Sequence, residues 1–332
     1  MISGLTRRRV AMKARSPLRL FSKAVRVHEV APRDGLQNEK AVLSLEDKVE
    51  LCRLLASSSP SSIELTSFVR PDRVPNLKDA KELCAALADQ EWYQAARAQG
   101  MPFAALVPNM RGLDNLLMAR ESGSGREGCP DTCVLITSCT DSHSKANVGR
   151  PIKEALDATM KVLEAARKEG LGVRAYCSMA FGCPFEGEVE PAVVVDISQA
   201  YAEGGAHVLG VADTLGCATP SQTRSLIGGI MDSLKTVENA PIISLHMHDT
   251  NGMARENCIA AMKIGVREFD AAVGGCGGCN FAPGAKGNLS TQGLLYAIGK
   301  AGCEHSVLGD ELAVAHSFLE DKLKRPLDES YE

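Results

Sequence analysis

The sequence lacks features that would place it in several broad classes of protein. A membrane-spanning helix needs about 18 consecutive apolar residues, and no such run is present. Basic residues are not in excess, since 37 Lys and Arg stand against 41 Asp and Glu, whereas a nucleic-acid groove needs a basic stripe. The 30 Gly and 15 Pro show no repeat period, which excludes a collagen-like chain. We therefore expect a globular protein with no membrane and no nucleic-acid partner.

Acidic residues are absent from the first 28 positions, which hold eight Lys and Arg. The rest of the chain carries 29 basic and 41 acidic side chains, a net charge of −12. The head is rich in Arg and has no long apolar core, which is typical of a mitochondrial transit peptide rather than a secretory signal. We expect residues 1–24 to direct the protein to the mitochondrial matrix. The alternative is a disordered extension of a protein of the bacterial cytoplasm.

A second pair of cysteines at zinc-ribbon spacing is also missing. The 12 cysteines are spread from Cys52 to Cys303, and no secretory signal precedes them, so we expect reduced thiols. Cys276 and Cys279 form a single C-x-x-C, whereas a zinc ribbon needs two such pairs. Zinc binding and a redox dithiol are the weaker interpretations of this motif.

Eight β-rich runs recur along the chain with helical stretches between them. They are Val25–Val30, Ser62–Phe68, Pro102–Val107, Thr132–Ser138, Val173–Met179, Ala206–Val211, Ile242–Met247 and Glu268–Val273. Alternating strands and helices predict a parallel sheet, and eight such units predict an α/β protein of the closed (β/α)8 TIM-barrel type. No Pro/Ser-rich linker divides the chain. We expect one barrel domain over residues 25–303 and a short C-terminal helix and tail over 304–332.

Polar residues fall repeatedly near the carboxyl ends of the predicted strands, where barrel enzymes place their chemistry. They are Arg33 and Asp34 after strand one, Glu64 in strand two, Asn109 after strand three, Asp213 after strand six, His246 and His248 at strand seven, and Cys279 and Asn288 after strand eight. This placement predicts one polar site at that face of the barrel.

His246 and His248 are one residue apart on a predicted strand, so both imidazoles point to the same side. A lone pair of strand histidines is often structural, but closure of the barrel brings Asp34 and Asn288 beside this pair. Two nitrogens and two oxygens with open positions suit Mg²⁺ or Mn²⁺ better than a closed zinc site. The pattern therefore predicts a site for a divalent cation.

The segment from residue 273 to residue 288 is too rich in glycine to continue a strand or a helix. We expect this segment to form a mobile loop that closes over the site. The alternative is an inert turn. A thiol placed between these glycines is suited to donate or accept a proton.

Five motifs in register resemble those of 3-hydroxy-3-methylglutaryl-CoA lyases. They are Glu29–Glu39, Ile63–Val69, Ala212–Gly216, His246–Thr250 and Cys279–Asn288. The resemblance covers about residues 25–300. It implies a metal-dependent TIM barrel that cleaves 3-hydroxy-3-methylglutaryl-CoA into acetyl-CoA and acetoacetate, in leucine catabolism and ketone-body formation, and it implies a homodimer.

The resemblance also implies roles for individual residues. Asp34, His246, His248 and Asn288 would ligate the divalent cation, and Arg33 would bind substrate and stabilise the enolate. Cys279 would donate a proton from the loop, while Glu64 and Asp213 would support the site. The implied catalytic set is thus Arg33, Glu64, Asp213, His246 and Cys279.

Several positions depart from the family pattern and leave the acyl specificity open. Cys276 replaces Leu, Asn280 replaces Pro, Lys286 replaces a small residue, Gln292 and Gly293 replace an acidic pair, and Ala212 replaces Gly. One alternative is a lyase for a longer branched 3-hydroxyglutaryl-CoA. Another is a Claisen-type acyltransferase like isopropylmalate or homocitrate synthase, although those enzymes usually carry a larger C-terminal region. A catalytically silent barrel would be expected to lose ligands, and none is lost here.

Overall fold

The computed structural model describes residues 23–121, 129–278 and 287–328. Eight parallel strands form a closed barrel in sequential order, with β8 returning to pair with β1. The strands are β1 (Arg26–Glu29), β2 (Ser62–Ser67), β3 (Phe103–Leu106), β4 (Thr132–Ser138), β5 (Gly172–Ser178), β6 (Val208–Asp213), β7 (Ile242–Met247) and β8 (Glu268–Ala271). The predicted (β/α)8 barrel is confirmed.

The strands are buried on both faces, as expected for a parallel barrel covered by helices. Every residue of β2, β3, β6 and β8 is buried. Apolar side chains account for most of this burial, but charged residues such as Glu64 and Asp270 are also no more than 2% exposed. Because a buried charge needs a partner, the barrel interior must contain ion pairs as well as an apolar core.

Eleven α-helices lie within the described residues. They are α1 (Leu45–Ser57), α2 (Ala80–Ala88), α3 (Glu91–Ala98), α4 (Met110–Glu121), α5 (Asp141–Val148), α6 (Ile152–Lys168), α7 (Pro191–Glu203), α8 (Pro220–Ser233), α9 (Ala254–Lys263), α10 (Thr291–Lys300) and α11 (Gly309–Leu323). Side-chain caps fix several starts, because Ser44 accepts from the Asp47 amide and Thr219 forms a capping box with Gln222.

The structure differs from the sequence-based expectation mainly in short elements. Strand β6 ends at Asp213 rather than at Val211, so this aspartate belongs to the strand itself. His248 lies one residue beyond the end of β7. A π-helical turn over Ala31–Gly35 follows β1, and α5 has only two buried residues. Such short or polar segments carry too little hydrophobic periodicity to be predicted.

Helix α11 lies in the predicted C-terminal extension and packs against α1. Lys322 of α11 forms an ion pair with Asp47 of α1 at 2.8 Å. At the other end of the chain, the Glu304 amide donates to the Lys23 carbonyl at 3.0 Å. Most of the predicted transit peptide, residues 1–22, lies outside the described residues. No helix in the described ranges is long and apolar enough to cross a membrane.

Candidate metal centre

Arg33 and Asp34 are placed by the π-helical turn that follows β1. The carbonyl of Val30 accepts hydrogen bonds from the amides of Arg33, Asp34 and Gly35, at 2.8–3.2 Å. A β-carbon added at Gly35 would lie 2.3 Å from the sulfur of Cys276. Only glycine therefore lets the turn pack this closely against the start of the loop that follows β8.

Four of the predicted site residues come together at the carboxyl ends of β7, β8 and β1. The ligand atoms of Asp34, His246 and His248 all lie within 4.8 Å of one another. The backbone of His248 forms an isolated antiparallel bridge with that of Asn288. The side-chain nitrogen Nδ2 of Asn288 donates to Asp34 Oδ2 at 2.9 Å. We call Asp34, His246, His248 and Asn288 the metal-ligand cluster.

The cluster contains buried polar atoms that nothing in the described residues satisfies. His248 Nδ1 and Asn288 Oδ1 are both buried and have no hydrogen-bond partner there. Leaving a polar atom buried without a partner costs free energy, so these two atoms, which lie beside the Asp34 carboxylate, are available to a bound group. Nitrogen and oxygen donors around one point fit a divalent cation.

The protonation states of Asp34 and His248 suit metal binding, which requires neutral imidazole. Burial would lower the pKa of His246, but the hydrogen bond to Asp270 and the charge of Asp34 raise it. Burial lowers the pKa of His248 to about 4, with a further contribution from the neighbouring His246. Burial alone would raise the pKa of Asp34, but the charges of Arg33 and His246 lower it to about 2. At neutral pH the cluster therefore presents a carboxylate and an uncharged His248.

Arg33 is held by a second buried carboxylate. Its Nε donates to Glu64 Oε1 at 2.7 Å and its Nη2 to Glu64 Oε2 at 3.2 Å, while Nη1 contacts Asp34 Oδ1. Burial would raise the pKa of Glu64, but the charge of Arg33 lowers it below its ordinary value. The two hydrogen bonds to Glu64 fix the orientation of the Arg33 guanidinium beside the metal-ligand cluster.

Behind Glu64 lies His28, a residue for which sequence reasoning found no role. His28 Nδ1 is 2.6 Å from Ser62 Oγ, and His28 Nε2 is 3.6 Å from Glu64 Oε2. The His28 side chain is fully buried. The carboxylate of Glu64 is thus flanked by His28 on one side and Arg33 on the other.

A second group of buried charges lies inside the barrel between β5 and β8. Arg174 contacts Glu268, donates to Asp270 Oδ1 at 3.2 Å and donates to the Tyr176 hydroxyl at 2.9 Å. The Ser244 hydroxyl also donates to Asp270, at 2.9 Å. We call Arg174, Tyr176, Ser244, Glu268 and Asp270 the barrel ion network.

Asp270 connects the two groups. Its Oδ2 is 3.2 Å from His246 Nδ1, which leaves His246 Nε2 facing Asp34 Oδ2 at 3.8 Å. A carboxylate behind a metal-binding histidine fixes its tautomer and its direction. Sequence reasoning missed Asp270 and Arg174. The available signal was the presence of charged residues in the middle of strands predicted to be buried.

Asp213 contacts its own loop rather than the cluster. Its carboxylate accepts from the amides of Cys217 at 3.0 Å and Ala218 at 2.8 Å, and burial raises its pKa. Its predicted supporting role stays a prediction. Asn109 accepts from the Gly112 amide at 3.0 Å and so caps the start of α4.

Of the two cysteines in the C-x-x-C, the structure describes only Cys276. Cys276 is fully buried, and its carbonyl accepts from Asn288 Nδ2 at 3.1 Å. Burial raises the pKa of the Cys276 thiol well above its ordinary value. A thiol of this kind is inert. Cys279, Asn280 and Lys286 lie outside the described residues, so the predicted loop closure and the role of Cys279 stay predictions.

A closed parallel barrel with a candidate cation site at the carboxyl ends of its strands is typical of metal-dependent TIM-barrel enzymes. The model of the HMGL-like family matches residues 24–318, and the chain belongs to this family. It is 36% identical over 307 residues to hydroxymethylglutaryl-CoA lyase of Bacillus subtilis, covering 92% of this chain and 96% of the relative. It is 31% identical to the human mitochondrial hydroxymethylglutaryl-CoA lyase over 310 residues, covering 93% and 89%.

Solved structures of HMG-CoA lyases share the fold of this chain. The crystal structure of the Bacillus subtilis HMG-CoA lyase superposes with a TM-score of 0.82 at 33% identity, covering 92% of this chain and 96% of that one. An HMG-CoA lyase from Acinetobacter baumannii, in complex with coenzyme A and 3-methylmalate, gives a TM-score of 0.81 at 30% identity, covering 92% and 93%.

Proposed function

We propose that this protein is a divalent-metal-dependent hydroxymethylglutaryl-CoA lyase, which cleaves 3-hydroxy-3-methylglutaryl-CoA into acetyl-CoA and acetoacetate. One observation carries the proposal: the metal-ligand cluster lies directly beside Arg33, whose guanidinium is fixed by Glu64. Relatives named for this activity match the chain over most of its length.

The reaction breaks the bond between C2 and C3, and the proton that the tertiary hydroxyl loses is balanced by one that C2 gains. The electrons of that bond pass to the thioester, which becomes an enolate, and the hydroxyl carbon becomes the ketone of acetoacetate. Asp34, His246, His248 and Asn288 would hold the cation, which supplies a positive charge for the hydroxyl and carboxylate oxygens. Mg²⁺ and Mn²⁺ are the ions that this mixed donor set favours.

Arg33 supplies a positive charge that stabilises the enolate oxygen. A guanidinium stays ionised and offers several donors, so it suits an oxyanion that develops during the reaction. Glu64 holds two of these donors and thereby sets the direction of Nη1. In this proposal His246 would hold the cation, while Asp213 supports the neighbouring loop.

Cys279 completes the proposal as the acid that protonates the enolate carbon. Cys279→Ser should reduce turnover by about 10² or more, the scale of a lost positioned acid, and leave metal binding unchanged. Cys276→Leu is the matched control on the same loop and should be mild. If Cys276→Leu abolishes turnover and Cys279→Ser does not, the acid has been assigned to the wrong cysteine.

The activity is tested by adding Mg²⁺ or Mn²⁺ to metal-free protein with 3-hydroxy-3-methylglutaryl-CoA and measuring acetoacetate. Metal-dependent release of acetoacetate supports the proposal, and no product with either ion contradicts it. A preference for longer branched 3-hydroxyglutaryl-CoA thioesters would favour the alternative lyase. Release of free CoA from acetyl-CoA and a keto acid would favour the acyltransferase.

The cellular location and the assembly are further parts of the proposal. The basic, acid-free head supports import into the mitochondrial matrix, and the bacterial relative supports the alternative, a bacterial cytoplasm. A reporter fused after residue 24 tests import, while activity is compared after removal of residues 1–22, because Lys23 contacts Glu304. A homodimer is expected from the resemblance, and sedimentation velocity measures it.

A further inference from the structure

One buried histidine of the barrel has no part in the reaction described above. His28 is the third residue of β1, and its side chain is fully buried. In the strand register it stands opposite Ser62 of β2 and Asp270 of β8. An apolar residue would fill a buried strand position at lower cost, because a buried polar group must find partners. The contacts of His28 therefore indicate its role.

The Nδ1 side of the ring is held by a hydroxyl group. Nδ1 lies 2.6 Å from Ser62 Oγ, in a buried contact between two neighbouring strands. A hydroxyl can donate as well as accept, so Ser62 can satisfy Nδ1 in the neutral ring and in the charged ring. This contact also limits rotation of the imidazole and so sets the direction of Nε2.

The Nε2 side of the ring faces the carboxylate that holds Arg33. Nε2 is buried and has no hydrogen-bond partner in the described part of the chain, and Glu64 Oε2 lies 3.6 Å from it. Burial would raise the pKa of Glu64, but the charge of Arg33 and the nitrogen of His28 lower it below its ordinary value. An ionised carboxylate can only accept, so a hydrogen on Nε2 is the arrangement that both groups favour.

The oxygen that His28 faces is the less firmly held of the two carboxylate oxygens of Glu64. Oε1 accepts from Arg33 Nε at 2.7 Å, whereas Oε2 accepts from Arg33 Nη2 at 3.2 Å. The longer bond is at the limit for nitrogen donors, and a carboxylate oxygen can accept from more than one donor. Attraction from His28 therefore acts on the oxygen whose hold on the guanidinium is weaker.

We propose that His28 is a positioning residue, which acts through Glu64 to hold the Arg33 guanidinium in the direction that the enolate requires. The contacts form a continuous line from Ser62 through His28 and Glu64 to Arg33. Buried polar groups in such a line reinforce one another. The inference rests on the proposed function, which gives Arg33 its role in turnover.

The test compares two amides at position 28. The side chain of Gln reaches about as far as Nε2 and can donate to Glu64, whereas the shorter side chain of Asn reaches only about as far as Nδ1 and can bond to Ser62. We expect His28→Asn to lower kcat about tenfold and His28→Gln to stay within about threefold of wild type, because misdirection of a group at the reaction centre slows turnover. Equal kcat values for the two variants would overturn the inference.

A double-mutant cycle tests whether His28 acts through Arg33. Adding His28→Asn to Arg33→Lys should lower kcat by less than about twofold further, since residues that act through one another are not additive. A further tenfold loss would contradict the proposed route. The control is Tyr201→Phe, which removes another buried hydrogen bond of 2.6 Å, to Thr137 Oγ1. It should lower the free energy of unfolding and leave kcat unchanged.

Ser62→Ala reaches the same contact without changing the histidine and serves if His28→Asn does not fold. Loss of the hydroxyl leaves Nδ1 without its partner and lets the ring turn, so kcat should fall about threefold. Unchanged kcat in folded Ser62→Ala would mean that the direction of the His28 ring has no effect on turnover, against the inference.

Hydrogen exchange, followed by NMR, keeps the inference separate from the proposed function. The Nε hydrogen of Arg33 reports how firmly Glu64 holds the guanidinium, and its exchange with water should accelerate at least about fivefold in His28→Asn. The Nε hydrogen of Arg174, which donates to the Tyr176 hydroxyl at 3.1 Å, should be unaffected. Unchanged exchange at Arg33, or equal acceleration at both arginines, would overturn the inference. If the wild type releases no acetoacetate, the proposed function fails, and exchange at Arg33 still decides whether His28 positions it.

Discussion

The metal-ligand cluster and the barrel ion network are neighbouring groups of buried charge, and they differ in how completely their polar atoms are paired. In the network, Arg174 has Glu268, Asp270 and Tyr176 as partners, and Asp270 has two further neighbours. In the cluster, His248 Nδ1 and Asn288 Oδ1 have none among the described residues.

This difference separates a structural role from a binding role. A buried charge network that is fully paired holds its elements together and has no capacity left for a ligand. A cluster whose buried ring nitrogen and amide oxygen are unpaired beside a carboxylate still has the capacity to hold a ligand. The two groups meet at the contact between Asp270 and His246, so the network positions a ligand of the cluster. The predictions below test this division.

The largest effect is expected for His248→Ala. The substitution removes a predicted ligand whose Nδ1 has no partner in the described structure, so metal affinity and turnover should both fall by more than about 100-fold. Calorimetric titration with Mn²⁺ and an acetoacetate assay measure the two effects. His305→Ala, at an exposed position, is the control and should change neither. Tight metal binding with near-normal turnover in His248→Ala would remove His248 from the cluster.

Arg33→Lys should reduce kcat by about 10², because a single ammonium cannot replace the fork to Glu64 and also serve the enolate. The control is Arg53→Lys, which breaks a similar fork to Glu50 at distances of 2.7 and 2.6 Å on the surface. That variant should keep full turnover. Rates measured from low to saturating substrate concentrations give kcat and KM separately. A change confined to KM would mean that Arg33 contributes only uniform binding.

Asp270→Asn tests the contact at which the network meets the cluster. Loss of the carboxylate behind His246 should reduce metal affinity about 10- to 100-fold, less than the loss of a ligand. It should also lower the free energy of unfolding, because Arg174 loses a charged partner. Asp232→Asn, which breaks the exposed pair with Lys235, is the control. Unchanged metal affinity in Asp270→Asn would show that the network is structural only.

Glu29 belongs to neither group and should affect stability without affecting metal affinity. It accepts from the amides of Ala31 and Val273 and from the Thr291 hydroxyl, but burial raises its pKa from 4.5 to about 7. The folded state therefore binds this proton more tightly than the unfolded state. The resulting stability is fully present below pH 4.5 and is lost as the pH rises through 7.

Urea unfolding between pH 5 and 7.5 measures this effect. The free energy of unfolding of Glu29→Gln should decline less steeply with pH than that of the wild type, because the amide keeps the contacts and does not titrate. Glu164→Gln, at an exposed ion pair with Lys168, should follow the wild type. Identical slopes for Glu29→Gln and wild type would mean that Glu29 is ionised in the folded protein throughout this range.

Sequence patterns predicted the barrel because each strand and helix has its own local signal. The bounds of β4 and β7 match the prediction, and the alternation of side chains in H-x-H placed both imidazoles on one side although His248 lies just beyond the strand. The barrel ion network was missed because hydrophobic patterning treats Arg174 and Asp270 as interruptions of a buried strand. Only the pairing of β5 and β8 side chains across the barrel explains them.

The sequence by itself determined the succession of strands and helices along the chain and the types of side chain at the carboxyl ends of the strands, because these depend on neighbours a few residues apart. The tertiary structure alone decided which polar atoms are paired. Asn288 meets Asp34 across 254 positions of the chain and Arg174 meets Asp270 across 96. Hydrogen bonds are short-ranged and directional, so the unpaired atoms of the candidate metal centre come together only after the barrel has closed.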